Sequence, residues 1–193
     1  MTRKRATAGA VAALGACLTG LWGLHGILPH PAPLRAGDAV YSLPAGTANR
    51  TSCTIGYVDN RTALTAAHCL GQRGRVFDYA GHLVGTGQPL TGRDIALIRR
   101  PEATLVGTRQ QSVAARPVVA GDRVCFTSRV LGGQSCGHVV SVEGSLARVA
   151  PALRGAPGDS GGAVWSDGGF VGVYTGVVES NSGDVLYSTV AIP

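Results

Sequence analysis

A serine lies within a glycine-rich run near the C-terminal end of the 193-residue chain, in the sequence PGDSGG at positions 157–162. A serine hydroxyl is a weak nucleophile until a neighbouring base removes its proton. Glycines on both sides of Ser160 allow a sharp backbone turn and the close approach of another molecule. They also leave backbone N–H groups free to stabilise an oxyanion. A glycine-rich turn with an incidental serine is the alternative, because the chain contains 29 glycines.

Ser160 also satisfies the G-x-S-x-G pattern of the α/β-hydrolase nucleophile elbow. That fold requires a helix directly after the serine and a histidine later in the chain. Residues 163–169 instead predict a strand and a turn. All five histidines precede the serine: His25, His30, His68, His82 and His138. The sequence therefore excludes that arrangement, and a base has to come from upstream.

His68 ends an apolar run in the sequence TAAHC at positions 65–69, beside a cysteine that could hold the imidazole in place. Asp94 follows a turn and begins the apolar run DIALI at positions 94–98. An aspartate at such a position could accept the Nδ1–H of a histidine, fix its tautomer and stabilise the imidazolium. Taken singly, an isolated histidine and a strand-capping aspartate are the structural alternatives. The other histidines have no comparable surroundings.

The elements that position these residues are predicted to be short strands, because apolar or alternating segments recur between turn-forming residues. They cover residues 53–58, 62–66, 95–99, 123–126, 137–142, 163–165 and 170–174. Hairpin turns are predicted at 58–61 and 165–169. Helical periodicity is not sustained anywhere after residue 35. The pattern predicts an all-β sandwich or barrel.

The first 35 residues contain four basic residues and no acidic one, and subtracting four from the net charge of +6 leaves +2 for residues 36–193. Residues 6–28 are uncharged and mostly apolar, and prolines follow. This order is typical of a secretory signal, and 23 uncharged residues could equally span a bilayer with the body outside. The body shows no basic patch with interleaved aromatic residues, so we expect no nucleic-acid partner.

Residues 14–17, with the sequence LGAC, resemble a bacterial lipoprotein cleavage box. We interpret Cys17 instead as a small residue within the apolar run. A cleaved signal, a lipid anchor and a retained membrane span all export the body. We therefore expect a protein that is secreted or anchored on the outer side of the cytoplasmic membrane, with membrane contact only through an uncleaved N-terminal segment.

Four cysteines follow residue 35: Cys53, Cys69, Cys125 and Cys136. An even number in an exported chain implies disulfides, and four cysteines allow three pairings. Pairing of sequence neighbours would close two local loops, each worth about 3 kcal/mol of stability. A metal site made from His68, Cys53 and Cys69 is the alternative, but the spacing lacks a C-x-x-C pair. We expect no metal and no cofactor.

Together, TAAHC, DIALI and GDSGG resemble the three signatures of chymotrypsin-like serine proteases, in that family's order of His, Asp and Ser. Residues 36–193 are most similar to the short bacterial branch, the streptogrisins and α-lytic protease. Residues 37–41 resemble the start of the mature streptogrisins, and residues 124–137 resemble their disulfide-closed hairpin. The resemblance implies an all-β fold of two packed antiparallel β-barrels with the active site in the cleft between them.

The domain organisation expected from this resemblance has two parts. Residues 1–35 would form a signal peptide or hydrophobic helical anchor with a proline-rich connector. Residues 36–193 would form the protease domain, with a first barrel over about 38–112 and a second over about 113–193. His68 and Asp94 would come from the first barrel and Ser160 from the second.

The resemblance also assigns roles around the nucleophile. Backbone N–H groups of Gly158 and Ser160 would form the oxyanion hole. Thr175 would hydrogen-bond the catalytic aspartate and pair with the substrate backbone. Val177 would stand at the mouth of the specificity pocket and favour small aliphatic side chains there, or it is an ordinary strand valine.

Asp159 lacks the partner that the resemblance implies. Relatives pair this aspartate with a new N-terminus or with an internal arginine that follows the first cysteine of the hairpin. Phe126 occupies that place here, and Arg129 is the nearest substitute in sequence. A buried unpaired carboxylate would be costly, so a partner is required if Asp159 is buried.

Two functions follow from these observations. The first is an exported serine endopeptidase that hydrolyses protein or peptide substrates as a monomer through an acyl-enzyme intermediate. The second is a protease-shaped binding or scaffold protein at the cell surface with little activity. Reaction of Ser160 with a fluorophosphonate distinguishes them.

Overall fold

A computed structural model describes residues 34–42, 50–59, 62–70, 74–99 and 117–193. The expected N-terminal helix and Cys17 lie outside these ranges, as does most of the expected boundary between the barrels. Within the described ranges, no helix has the length and apolar character needed to cross a bilayer.

The first half of the fold is a seven-stranded antiparallel sheet in the order β2-β1-β5-β6-β7-β4-β3. Its strands are β1 (Ala39–Ser42), β2 (Thr51–Thr54), β3 (Tyr57–Val58), β4 (Thr62–Thr65), β5 (Arg75–Asp78), β6 (Leu83–Pro89) and β7 (Ala96–Arg99). The two edge strands, β2 and β3, are separated in sequence only by Ile55 and Gly56. The sheet therefore has to curl until its edges nearly meet, and it surrounds an apolar core that includes Val40, Ile55 and Ile98.

The second half is a closed six-stranded antiparallel barrel in the order β10-β13-β12-β11-β8-β9. Its strands are β8 (Arg123–Thr127), β9 (Gln134–Glu143), β10 (Leu146–Ala150), β11 (Ala163–Ser166), β12 (Gly169–Glu179) and β13 (Val185–Ala191). Alternate side chains point inward, as the twofold period of a strand requires. Val124, Phe126, Val149 and Val164 are almost fully buried in this core.

The two halves share a third apolar cluster. Ile95, which precedes β7, packs there with Phe170, Val173 and Ala191 of the closed barrel. The ring of Tyr57 in β3 lies 5.2 Å from that of Phe170, measured between centroids. This shared core holds the two halves against each other, and the all-β fold of two packed antiparallel halves is confirmed.

The predicted strands correspond to strands in the structure, and the turn predicted at 165–169 joins β11 to β12. Residues 60 and 61 of the other predicted turn lie outside the described ranges. One predicted strand is interrupted. Residues 53–58, expected as one strand, are divided between β2 and β3 by a corner at Gly56. A Cβ at Gly56 would lie 2.3 Å from the carbonyl oxygen of Gly161. The corner therefore packs directly against the second barrel, which requires glycine and interrupts the strand.

Candidate active site

His68 lies in a single 3-10 turn, Ala67–Cys69, directly after β4. β4 is held between β3 and β7, so the end of this strand has a fixed position. Asp94 comes from the turn that leads into β7, the strand paired with β4. The pairing of β4 with β7 therefore brings together two side chains that are 26 positions apart.

Two hydrogen bonds join His68 to Asp94. Nδ1 of His68 lies 2.7 Å from Oδ2 of Asp94, and the backbone N–H of His68 donates to Oδ1 at 2.9 Å. Both carboxylate oxygens are engaged, so the carboxylate fixes the orientation of the ring. With Nδ1–H donated to the carboxylate, Nε2 is the nitrogen that can accept a proton. The pair is accessible, since the side chains are 44% and 35% exposed.

Asp94 should stabilise the folded protein only while it is ionised. Burial alone would raise its pKa, but hydrogen bonds from the side chain and backbone of His68 outweigh burial, and the pKa lies below its ordinary value of 3.8. A carboxyl group whose pKa is lowered by folding contributes stability above about pH 4, and this contribution is lost as pH falls through the folded pKa.

We therefore expect Asp94→Asn to flatten the acid limb of the free energy of unfolding. Urea denaturation at a series of pH values below about pH 5 measures this slope. Asp167→Asn, in the exposed turn between β11 and β12, is the matched control. An acid limb of unchanged slope in Asp94→Asn would contradict the expectation.

A second histidine–aspartate pair has nearly the same local geometry. Nδ1 of His82 lies 3.0 Å from Oδ2 of Asp78, and the backbone N–H of His82 donates to Oδ1 at 2.8 Å. This pair closes the turn between β5 and β6. A histidine hydrogen-bonded to an aspartate is therefore not by itself evidence of catalysis in this chain. The residues around His68 have to distinguish it from His82.

Ser160 belongs to the second half but is attached to the first. Its carbonyl oxygen accepts a hydrogen bond from the backbone N–H of Thr54 at 2.8 Å. The same oxygen lies 3.7 Å from Sγ of Cys69, the residue after His68. The turn that carries His68 and the loop that carries Ser160 are therefore in contact. Among the described residues, no hydrogen bond joins the side chains of His68 and Ser160, a contact that often tightens only when substrate binds.

Backbone N–H groups around Ser160 fall into two sets. Those of Asp159, Gly161 and Gly162 donate to the carbonyl oxygens of residues 156, 174 and 159, at 2.7–2.9 Å. Those of Gly158 and Ser160 donate to no acceptor within the described parts of the chain. Two unbonded N–H groups on either side of Asp159 are therefore available to a ligand oxygen, at the two residues expected to form an oxyanion hole.

Asp159 is fully buried, and the structure shows its partners. Oδ1 accepts the backbone N–H groups of Arg129 and Val130 at 2.8 and 3.0 Å. Oδ2 accepts the hydroxyl of Ser128 at 2.5 Å and the backbone N–H of Ala156 at 2.9 Å. Successive backbone N–H groups form an anion-binding concavity. The carboxylate is thus satisfied by a nest of amides and one hydroxyl.

The guanidinium of Arg129 does not contact Asp159. Its Nε donates to Oγ1 of Thr54 at 3.0 Å, and one terminal nitrogen donates to the carbonyl oxygen of Gly158 at 3.2 Å. Arg129 is thus a partner of Asp159 through its backbone only. No feature of the sequence distinguishes these roles, because any residue except proline supplies a backbone N–H.

Thr175 has a different partner from the one expected. Its Oγ1 donates to Oγ1 of Thr189 at 2.8 Å, so the expected hydrogen bond to Asp94 is not formed. The register between β12 and β13 shifts between Tyr174 and Gly176. Such an irregularity re-aims a side chain, and the Thr175 hydroxyl lies against β13. The assignment of Thr175 as the partner of Asp94 was wrong for this reason.

The end of β12 leaves one backbone edge unpaired. β11 pairs with β12 only as far as Val173, whereas β13 pairs with it as far as Glu179. Among the described strands, residues 175–179 therefore have a neighbour on one side only. Val177 lies in this segment opposite Ser188, and its side chain is 39% exposed. The free edge begins one residue after Tyr174, whose carbonyl oxygen binds the N–H of Gly161 beside Ser160.

Both expected cysteine pairs are disulfides, Cys53–Cys69 and Cys125–Cys136. The first links β2 to the turn that carries His68. An imidazole nitrogen of His68 and the sulfurs of Cys53 and Cys69 lie within 4.8 Å of one another. Because those sulfurs are bonded to each other, they offer no thiolate to a metal.

Comparisons with solved structures find the same fold in known proteases. Neither a protein-family profile nor a curated protein sequence matches the chain. The chain is similar to the structure of Cellulomonas bogoriensis chymotrypsin, with 24% identity over 81% of this chain and 88% of that one, at a TM-score of 0.55. It is also similar to Thermobifida fusca protease A, with 22% identity, coverage of 81% and 90%, and a TM-score of 0.58.

A third similar structure is a glutamic acid specific serine protease, with 18% identity, coverage of 81% and 92%, and a TM-score of 0.60. These similarities span both halves and almost the whole length of each relative. The curled sheet, the closed barrel and the order of the strands agree with this likeness. The chain therefore has the two-barrel fold of the chymotrypsin-like serine proteases.

Proposed function

We propose that the protein is a serine endopeptidase in which His68, Asp94 and Ser160 form the catalytic triad. Asp94 orients the imidazole of His68, and the turn that carries this imidazole contacts the loop that carries Ser160. The disulfide between Cys53 and Cys69 restrains this turn. No step of the reaction requires a metal or a cofactor.

In the proposed reaction, Nε2 of His68 takes the proton of the Ser160 hydroxyl as Oγ attacks the carbonyl carbon of a peptide bond. The oxyanion of the tetrahedral intermediate accepts hydrogen bonds from the free N–H groups of Gly158 and Ser160. The imidazolium then donates this proton to the leaving amine as the peptide C–N bond breaks, and an acyl-enzyme remains. Water, deprotonated by the same histidine, releases the acid and restores the serine.

A peptide substrate would bind along the unpaired edge of β12. Extended peptides add to an exposed sheet edge through backbone hydrogen bonds, and pockets for alternate side chains provide specificity. Residues 175–179 offer such an edge next to the Ser160 loop. Thr175 and Val177 would then be substrate-binding residues through their position in this edge, and Val177 would limit the size of a neighbouring substrate side chain.

The observation that carries the proposal is the pair of unbonded N–H groups at Gly158 and Ser160, beside a histidine oriented by a carboxylate. The pair formed by His82 and Asp78 shows that the histidine and the carboxylate alone are insufficient evidence. Only at His68 do the described residues combine such a pair with a nearby loop in which the N–H groups of a serine and of the glycine two positions before it are unbonded.

The proposed location is outside the cell or on the outer face of the cytoplasmic membrane. Two disulfides support an oxidising compartment, because disulfides persist in exported proteins. The charged and apolar order of residues 1–28 supports the same location. The proposed partners are protein or peptide substrates of a monomeric enzyme.

Labelling with a fluorescent fluorophosphonate tests the proposal, because this probe forms a covalent bond only with an activated serine. We expect one labelled site in the folded protein, at Ser160, and no labelling of Ser160→Ala. Ser166→Ala, in β11, is the matched control and should label like the unmodified protein. A folded protein that never labels would overturn the enzyme proposal and favour a binding or scaffold function.

A further inference from the structure

Thr54 makes four hydrogen bonds at the contact between the two halves of the fold. Its N–H donates to the carbonyl oxygen of Ser160, and its carbonyl oxygen accepts the hydroxyl of Thr65, both at 2.8 Å. Its own hydroxyl donates to the carbonyl oxygen of Gly158 at 2.8 Å and accepts Nε of Arg129 at 3.0 Å. Thr54 itself is 3% exposed, its bond with Thr65 is buried, and the two further bonds of its own hydroxyl are partly buried.

Arg129 determines where the Thr54 proton points. A threonine hydroxyl has one proton and two lone pairs. Because Nε of Arg129 occupies a lone pair, the proton is directed to the remaining nearby acceptor, the carbonyl oxygen of Gly158. A terminal nitrogen of the same guanidinium donates to that oxygen as well, at 3.2 Å. The planar guanidinium thus binds both members of the Thr54–Gly158 hydrogen bond.

The peptide between Gly158 and Asp159 is consequently tied at both ends. Its carbonyl oxygen is held by Thr54 and Arg129, and its N–H donates to the carbonyl oxygen of Ala156 at 2.9 Å. The two unbonded N–H groups belong to the peptides immediately before and after it. A peptide unit is planar and rigid, so holding this one fixes the reference from which the rotations at Gly158 and Asp159 direct the two N–H groups.

We propose that Thr54 and Arg129 form a latch across the two halves that positions the oxyanion hole. This inference rests on the proposed protease function. In this proposal both side chains act through the carbonyl group of Gly158 and not on the substrate, so both are positioning residues. The backbone N–H of Arg129 binds Asp159 independently of its side chain, and replacing the side chain leaves that contact in place.

Kinetics of three variants test the latch. Thr54→Val removes the hydroxyl at nearly constant volume, Thr54→Ser keeps it, and Arg129→Met removes the guanidinium. Misplacement of a catalytic group by about 1 Å can cost about 10²-fold in rate. We expect Thr54→Val and Arg129→Met to lower kcat about 10- to 100-fold with KM little changed, and to weaken a peptide aldehyde inhibitor in parallel with kcat. Thr54→Ser should restore most of the activity.

The matched control is Arg148→Met. Arg148 lies in β10 and pairs with Glu143 at the surface, so this variant should retain the activity of the unmodified protein. Equal losses in Thr54→Ser and Thr54→Val, or a rise in KM without a fall in kcat, would overturn the latch.

Hydrogen–deuterium exchange separates failure of the latch from failure of the protease proposal. We expect faster exchange in residues 156–162 of Thr54→Val and Arg129→Met, and unchanged exchange there in Thr54→Ser and Arg148→Met. This measurement needs no turnover. An inactive protein with the expected exchange pattern would refute the protease function and retain the latch, whereas unchanged exchange in Thr54→Val would refute the latch.

Discussion

Replacing His68 by alanine is expected to lower kcat for peptide hydrolysis about 10⁶-fold, while the same change at His82 leaves it nearly unchanged. Without the imidazole, Ser160 keeps its proton and the leaving amine receives none, so both chemical steps lose their proton carrier. The residual rate would come from the free N–H groups and from binding of the substrate.

His82→Ala is an unusually close control because the two histidines share their local geometry. In each, Nδ1 and the backbone N–H of the histidine are hydrogen-bonded to the two oxygens of one carboxylate. The two histidine side chains are 44% and 40% exposed. The variants differ chiefly in whether a serine loop with free amides is nearby. Steady-state hydrolysis of a peptide library by both variants, with circular dichroism to verify folding, makes the comparison. Comparable losses at the two positions would refute the assignment of His68 as the base.

Gly161→Ala is expected to destabilise the fold by about 2–5 kcal/mol, the largest effect on stability among the changes considered. Gly161 has φ of +90°, where a side chain is strained. A Cβ there would also lie 2.1 Å from Oγ1 of Thr65 and 2.3 Å from the carbonyl oxygen of Thr54. Thr65 and Thr54 are buried and hydrogen-bonded to each other, so neither can move aside without loss of stability.

Gly121→Ala separates backbone strain from crowding. Gly121 has φ of +93°, but a Cβ there would meet nothing within 4 Å. Its cost should therefore be limited to the strain, about 1–2 kcal/mol. Urea denaturation of both variants gives the difference, which we attribute to overpacking at about 1–3 kcal/mol. Equal destabilisation of the two variants would show that the loop at Gly161 can relax away from the first half.

The amide nest around Asp159 holds the loop that carries Ser160. The carboxylate is buried next to Ser160 and already has four hydrogen-bond donors from the described chain. A fully satisfied buried carboxylate needs no additional cation. The described residues therefore supply all the hydrogen bonds that hold the Asp159 carboxylate in the loop with Gly158 and Ser160.

Much of the fold was predictable because strand signals are local. The alternation in residues 123–126 and 170–174 and the turn at 165–169 depend only on residues that are close in sequence. β6 was harder to recognise, since Gly85 and Gly87 interrupt its apolar pattern. A Cβ at these positions would lie 2.4 Å from the carbonyl oxygen of Arg99 and from the side chain of Leu70. The reason for these glycines is a contact with other segments, which a local pattern does not reveal.

The candidate site likewise has features that the sequence predicts and features that it does not. His68, Asp94 and Ser160 could be chosen from the sequence because each stands in a short motif whose residue types suit one chemical role. The partners of Asp159 and Thr175 and the bonds of Thr54 with Gly158 and Arg129 could not. Apart from the local bond between Ala156 and Asp159, they join segments between 14 and 104 positions apart, and several involve backbone groups that nearly every residue carries. The sequence by itself determines which side chains, and therefore which chemical groups, stand in each motif. The pairing of distant backbone atoms is decided only when the two halves pack together.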